Sequence, residues 1–155
     1  SCSIYAQKIE NINKGTPPPV DLKKELKYGI FIQELCSEEF ITSCRDLSDG
    51  GLGIALTELC LMSKIGCRIE SQNSNIIAWL FGEDQSRYII TCTDINLNNI
   101  IEKTRNKNIS AEVIGRLVGK NFEVTEQSKK TDKISIDKLE NIRNNWFKDY
   151  ISIIN

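Results

Sequence analysis

A chain of 155 residues with 40% hydrophobic and 26% charged residues can bury a real core, and its composition is ordinary for a globular protein. A net charge of −1 leaves no electrostatic footprint for nucleic acid or an anionic membrane, and no apolar run approaches the roughly 18 residues that a membrane span requires. No signal peptide opens the chain, so it reads as cytoplasmic, with neither nucleic acid nor membrane among its partners.

The chain begins at Ser1 rather than Met, as a piece of a longer protein would. Its six cysteines, Cys2, Cys36, Cys44, Cys60, Cys67 and Cys92, form no Cys-x-x-Cys pair and several fall on apolar faces. Free buried thiols in a reducing compartment are the natural expectation, ahead of zinc or a disulfide framework. Histidine is absent, which removes the usual general base and the commonest metal ligand. Any acid–base chemistry would fall to carboxylates, Lys or Tyr.

Ile4, Tyr5, Ile9 and Ile12 suggest a short helix or extended arm that needs something to pack on. Gly15 to Val20 contains Pro17-Pro18-Pro19, a stiff connector, and Asp21 is placed to cap the next helix. These signals set a boundary: residues 1–19 as the end of a preceding domain and its linker, residues 20–155 as the main domain. Leu22, Leu26, Ile30, Phe31 and Leu35 then give a helix to about Ser37 with one broad apolar side. Phe40-Ile41 and the residues to Arg45 read as a short strand.

That strand delivers Asp46-Leu47-Ser48-Asp49-Gly50-Gly51, after which Leu52, Ala55, Leu56, Leu59 and Cys60 recur at helical spacing to about Ser63. A loop of this kind feeds a helix N-terminus, whose amides and dipole favour phosphate oxygens. Carboxylates on the same loop would repel a bare phosphate, so a hard cation such as Mg2+ would have to bridge them. Equally open on residue types is a plain capped turn, with Ser48 or Asp49 as cap and the glycines closing it.

Cys67 to Glu70 alternates as a strand. Ile76 to Phe81 and Arg87 to Thr93 read as adjacent strands joined by Gly82-Glu83-Asp84-Gln85-Ser86, whose polar residues a solvated turn would also explain. Asp94 or Asn96 is expected to cap a helix carrying Leu97, Ile100 and Ile101. Ala111 to Val118 reads as a strand turning at Gly119-Lys120-Asn121 into Phe122-Glu123-Val124. Glu126 to Lys133 is expected to be a mobile charged loop, Ile134 to Ile136 a strand, and Asp137 the cap of a closing helix. That helix carries Leu139, Ile142, Trp146, Tyr150, Ile153 and Ile154 on one side, a spacing that predicts core packing. Helices alternating with hairpin-like strands predict an α+β fold, helices layered on a mixed or antiparallel sheet.

Asp46-x-Ser48-Asp49-Gly50-Gly51-Leu52-x-x-Ala55-Leu56-x-Glu58 resembles the second-half signature of the phosphoribosylformylglycinamidine synthase family. Leu80 to Tyr88 is similar to that family's Phe-Gly-Glu-x-Gln-x-Arg segment, in the same order and at a comparable spacing. The resemblance implies the C-terminal domain of the AIR synthase-related superfamily, partly ferredoxin-like. It also implies an ATP-dependent C–N ligase that converts formylglycinamide ribonucleotide, ATP and glutamine-derived ammonia into formylglycinamidine ribonucleotide, ADP and phosphate. On this sequence it implies Asp46 as a metal ligand, Ser48, Gly50 and Gly51 at a nucleotide, and Glu83 and Gln85 on the substrate side, with ATP or ADP and Mg2+ as cofactors. No catalytic residue is carried over, and the fragment by itself is expected to be inactive. Gly53 stands where the family more usually has Ala or Leu. Implied partners are the remaining N-terminal domains and a glutamine amidotransferase subunit or domain, and a homodimer of the fragment is open. The alternatives are a related superfamily enzyme of hydrogenase-maturation, selenophosphate or thiamine-phosphate type, or a non-enzymatic assembly module.

Overall fold

The computed structural model describes residues 3–127 and 130–154, less the side chains of Asp149, Ile153 and Ile154. Along the chain run α1 (Ile4–Lys8), α2 (Leu22–Ser37), β1 (Ser43–Asp46), α3 (Gly51–Ser63), β2 (Cys67–Ser71) and α4 (Ile76–Phe81). They are followed by β3 (Tyr88–Thr91), α5 (Asp94–Asn106), β4 (Gly115–Leu117), β5 (Asn121–Glu126), β6 (Lys130–Ser135) and α6 (Ile136–Ile154). The fold is α+β, and its strands form two sheets. Two compact units divide the chain: Ser1–Ala55 with Leu80–Val113, and Leu56–Trp79 with Ile114–Asn155.

In the first unit Asp21 caps α2 as expected, its Oδ1 accepting from the amides of Lys23 and Lys24 at 3.0 and 3.1 Å. The broad apolar side of α2 divides in two. Phe31 and Leu35 are buried with Ile100 of α5, packed by Phe40, Ile41, Ile90, Cys92 and Ile109, whereas Leu22, Leu26 and Ile30 are exposed. The i, i+4 spacing cannot separate these two rows, because each is a legitimate helical stripe. Lys103 of α5 reaches Glu38, just past α2, and Lys107, just past α5, reaches Glu34 of α2, each at 2.8 Å, in solvent-accessible pairs that add little beyond orientation. β1 pairs antiparallel with β3, from Ser43 opposite Thr91 to Asp46 opposite Tyr88.

The 76–81 run is helical, not a strand, so β3 has no neighbour there and pairs with β1 instead. Asn75 explains the switch: its Oδ1 accepts from the amide of Ala78 at 2.9 Å, which starts a helix in a short apolar run whose periodicity is ambiguous. At α5 the cap position belongs to Thr93, without a side-chain bond, and Asn96 instead donates to the carbonyl of Phe40 at 3.2 Å.

The second unit holds a sheet of order β4-β2-β5-β6. β2 is parallel to β5, from Cys67 opposite Phe122 to Ser71 opposite Glu126, and its Cys67, Ile69 and Ser71 are buried while Arg68 and Glu70 face out. The expected pairing of the 111–118 strand with its successor is replaced by this arrangement: β4 is short and β2 lies between β4 and β5. Of the segment expected to be a mobile loop, Glu126 ends β5 and Lys130 to Lys133 begin β6, in register from Asn121 opposite Ser135 to Glu126 opposite Lys130, while Ser128 and Lys129 lie outside the described residues. Charges alternate freely on an exposed hairpin face, so polarity alone did not exclude a strand. Ser135, not Asp137, caps α6 by accepting from the amide of Lys138 at 3.2 Å.

Cys60 of α3 and Cys67 of β2 are buried free thiols that share a hydrogen bond, which pushes Cys67 up, with burial adding to it, and pulls Cys60 down. Cys36, Cys44 and Cys92 are also free, though Cys36 is exposed and the other two half-buried, and Cys2 lies outside the described residues. The stripe on α6 is not core: Ile142, Trp146 and Tyr150 are 55%, 60% and 57% exposed. The side chains of Ile153 and Ile154 lie outside the described residues.

Two truncations separate core from surface. Leu35→Ala, at a position with 0% exposure, is expected to cost about 2–5 kcal/mol, whereas Trp146→Ala is expected to cost less than about 1 kcal/mol. Equilibrium denaturation of the 155-residue chain checks both, and a Trp146→Ala cost matching that of Leu35→Ala would return the α6 stripe to the core.

Candidate functional site

The two motifs meet in the first unit. Past the last β1–β3 pair the amide of Leu47 still donates to the Arg87 carbonyl at 2.9 Å, so the strand ladder carries the acidic loop out beside the 82–88 segment. The amide of Gly51 closes a turn on the Ser48 carbonyl at 3.0 Å, and Gly50 and Gly51 adopt left-handed φ values of 79° and 60°. Here glycine is required by space as well as by torsion. A Cβ on Gly51 would stand 2.6 Å from the Gly82 carbonyl oxygen and 2.9 Å from that of Leu80.

The other side of the junction is as tightly knit. Glu83 Oε1 accepts from the amide of Gly50 and from the amide of Ile4, each at 2.9 Å. Arg87 Nη1 donates to the Gly82 carbonyl at 3.0 Å. The ring of Phe81 stacks on Tyr5 of α1 with centroids 4.9 Å apart, and Ser3 caps α1 by accepting from Ala6. A Cβ on Gly53 would come within 2.9 Å of the Phe81 ring. A larger side chain at this position would therefore collide with the aromatic ring as it lies here.

These segments enclose a cleft of about 370 Å³, large enough for the phosphate end of a small ligand. Asp46, Ser48, Glu83 and Gln85 all line it, so four of the sequence-derived candidates converge. Asp46, Ser48 and Gln85 are exposed and Glu83 is half-buried. Gly50 and Gly51 are buried and do not line the cleft. Their amides already donate, one to Glu83 and one to Ser48, so in this structure the pair makes the turn rather than presenting vacant donors.

Sequence reasoning missed Glu25, Ser3, Arg87 and Tyr88, which also line the cleft. Arg87 stands inside the Phe-Gly-Glu-x-Gln-x-Arg match and could have been found there; Glu25 carries no signal, since it reaches the cleft only by tertiary folding of α2. Glu25, Asp46, Asp49 and Glu83 make the lining acidic, against the one guanidinium, Arg87, that lines it among the described residues. The Tyr88 hydroxyl is pushed above its ordinary value of 10.0, by burial first and then by the charges of Glu25, Asp46 and Cys44. A bare phosphate would be repelled, and a cation would be needed to seat one.

The hard oxygen donors fit Mg2+. Among the described residues no three carboxylates or thiols converge as a self-sufficient metal cage, so phosphate oxygens and water would complete the coordination, as is usual for Mg2+.

A profile of the family described as AIR synthase related protein, C-terminal domain, matches residues 1–126. The chain belongs to that family. Among curated relatives of this AIR synthase-related domain, the phosphoribosylformylglycinamidine synthase subunit PurL of Bartonella henselae is 37% identical over 152 residues. That alignment covers 96% of this chain and 20% of the relative, so the domain spans about a fifth of the relative's length. Among solved structures, T. maritima PurL complexed with FGAR superposes with a TM-score of 0.74 at 17% identity, covering 87% of this chain and 24% of that one. T. maritima PurL complexed with ATP gives a TM-score of 0.66 at 16% identity, covering 73% of this chain and 21% of that one. At such identities the superpositions show the fold.

The raised Tyr88 gives a test of the cleft's electrostatics. Its neutral hydroxyl contributes stability that is present below pH about 10 and lost as pH rises through the higher native value, because the unfolded chain ionises first. Ultraviolet titration of tyrosinate is expected to show a step above pH about 10 that Tyr88→Phe removes, with a shallower alkaline loss of stability in the variant. A titration that Tyr88→Phe leaves unchanged would contradict the placement of this hydroxyl.

Proposed function

We propose that this domain is the C-terminal part of a phosphoribosylformylglycinamidine synthase, a glutamine- and ATP-dependent ligase of purine synthesis, and that its cleft holds a magnesium-bound nucleotide. The observation that carries the reading is the convergence of Asp46 and Ser48 with the Glu83–Arg87 segment in one acidic cleft, two motifs that lie far apart in the chain. Similarity to PurL relatives over nearly the whole chain supports the same assignment. Two superposing PurL structures are complexes with ATP and with FGAR, and those molecules suggest the ligand class.

In this reading Asp46 supplies a carboxylate ligand to Mg2+ and Ser48 offers its hydroxyl to a phosphate oxygen. Gly50 and Gly51 shape the turn that presents both. Glu83 and Gln85 line the same cleft as neighbours of the phosphate groups. The metal, when bound, neutralises phosphate charge that the acidic lining would otherwise repel. In this reading the domain, about a fifth of the length of its PurL relatives, is inactive by itself. In this reading residues 1–19 are the end of the enzyme's preceding domain and its linker. Its partners are the remaining domains of that enzyme and a source of glutamine-derived ammonia, in the cytoplasm. No described helix is long and apolar enough to cross a membrane. The Phe81-Gly82-Glu83-x-Gln85-x-Arg87 segment favours the synthase over its superfamily relatives.

Calorimetric titration of the intact enzyme with Mg–ADP, wild type against Asp46→Ala, tests this. The variant is expected to bind at least about tenfold more weakly. Equal, tight binding in both would remove Asp46 from the site and with it this reading.

A further inference from the structure

The geometry points to Glu83 as a positioning residue that ties the N-terminal arm to the glycine turn, so that docking of the arm and the shape of the Asp46–Ser48 loop are set together. The bond pattern is specific. A single oxygen, Oε1, accepts both the Gly50 amide and the Ile4 amide at 2.9 Å, across sequence separations of 33 and 79 residues. Backbone amides are strong donors, and a carboxylate oxygen accepting two of them is committed to the chain rather than to a ligand.

The two donors stand at informative places. Gly50 immediately precedes α3 and follows the cleft-lining Ser48 and Asp49, so holding its amide fixes the exit of the loop. Ile4 is the first residue of α1, next to Ser3, which is 8% exposed and itself lines the cleft. The arm is then held a second time by the Tyr5–Phe81 stack, one residue from Gly82, whose carbonyl Gly51 abuts. Releasing Glu83 would loosen the arm and the turn in one event, without touching Asp46 or Ser48. A role confined to the substrate side, by contrast, would need the charge of Glu83 and not its paired amide bonds.

Two variants separate these roles in the intact enzyme. Glu83→Gln keeps an oxygen acceptor of the same reach and removes the charge; Glu83→Ala removes the acceptor. Hydrogen exchange, read on peptides containing Gly50 and Ile4, is expected to quicken about tenfold or more at both in Glu83→Ala and to stay within about threefold of wild type in Glu83→Gln. Mg–ADP affinity, measured on the same proteins, is expected to fall in Glu83→Ala and to be largely rescued in Glu83→Gln; this second readout rests on the nucleotide reading above. If the alanine variant does not fold, Glu83→Asp serves instead, since a side chain one methylene shorter cannot span both amides, and quickened exchange at one or both peptides is expected.

Unchanged exchange at both peptides in Glu83→Ala or Glu83→Asp would overturn the proposal. So would a Glu83→Gln variant as impaired as Glu83→Ala, which would make the charge itself the requirement. A wild-type enzyme that binds no Mg–ADP would sink the nucleotide reading while the exchange measurement still decides the role of Glu83.

Discussion

The backbone of Gly51 lies against the carbonyls of Leu80 and Gly82 so closely that no side chain fits between them. That approach forces the Asp-rich loop and the Phe-Gly-Glu segment to share one wall. It requires a left-handed glycine, a helix beginning immediately afterwards, and a partner segment whose carbonyls are not spent on strand pairing. The last requirement is met because residues 76–81 form α4, leaving the carbonyls of Leu80 and Gly82 at the end of a short helix instead of in a ladder. The Glu83 carboxylate, the Arg87 guanidinium and the Phe81 ring then fasten the same junction from three directions.

Charge gives the cleft its chemical character. Its carboxylates are tolerated because Asp46 and Asp49 remain exposed to water and Glu83 is satisfied by two amides. An anion can join them only with a cation, which by itself narrows the ligand class. The partly buried Tyr88 hydroxyl, held protonated to higher pH, adds a neutral polar group that does not increase the repulsion.

Much of this was legible in the residues. Asp21 as a cap, α3 from its apolar spacing and β2 from its alternation all follow from local chemistry. What failed were features decided by tertiary context. Ile76–Phe81 is short enough for either period, and one Asn75 bond tipped it to helix. β4 and β5 follow one another in sequence but do not pair, because β2 occupies the place between them, and no local pattern encodes a strand inserted from elsewhere. No local pattern signals, either, that the amides of Gly50 and Gly51 donate within the chain, to Glu83 and the Ser48 carbonyl. The α6 stripe has the spacing of a core face, yet Trp146 and Tyr150 stand largely in solvent.

If close backbone approach at Gly51 organises the site, its cost must exceed that of torsion alone. Gly51 and Gly119 have similar positive φ values, 60° and 68°, but nothing lies within 4 Å of a Cβ built on Gly119. Equilibrium unfolding of Gly51→Ala and Gly119→Ala therefore isolates the contact. The account predicts that Gly51→Ala is less stable than Gly119→Ala by about 1–3 kcal/mol. Equal losses in the two variants would contradict it.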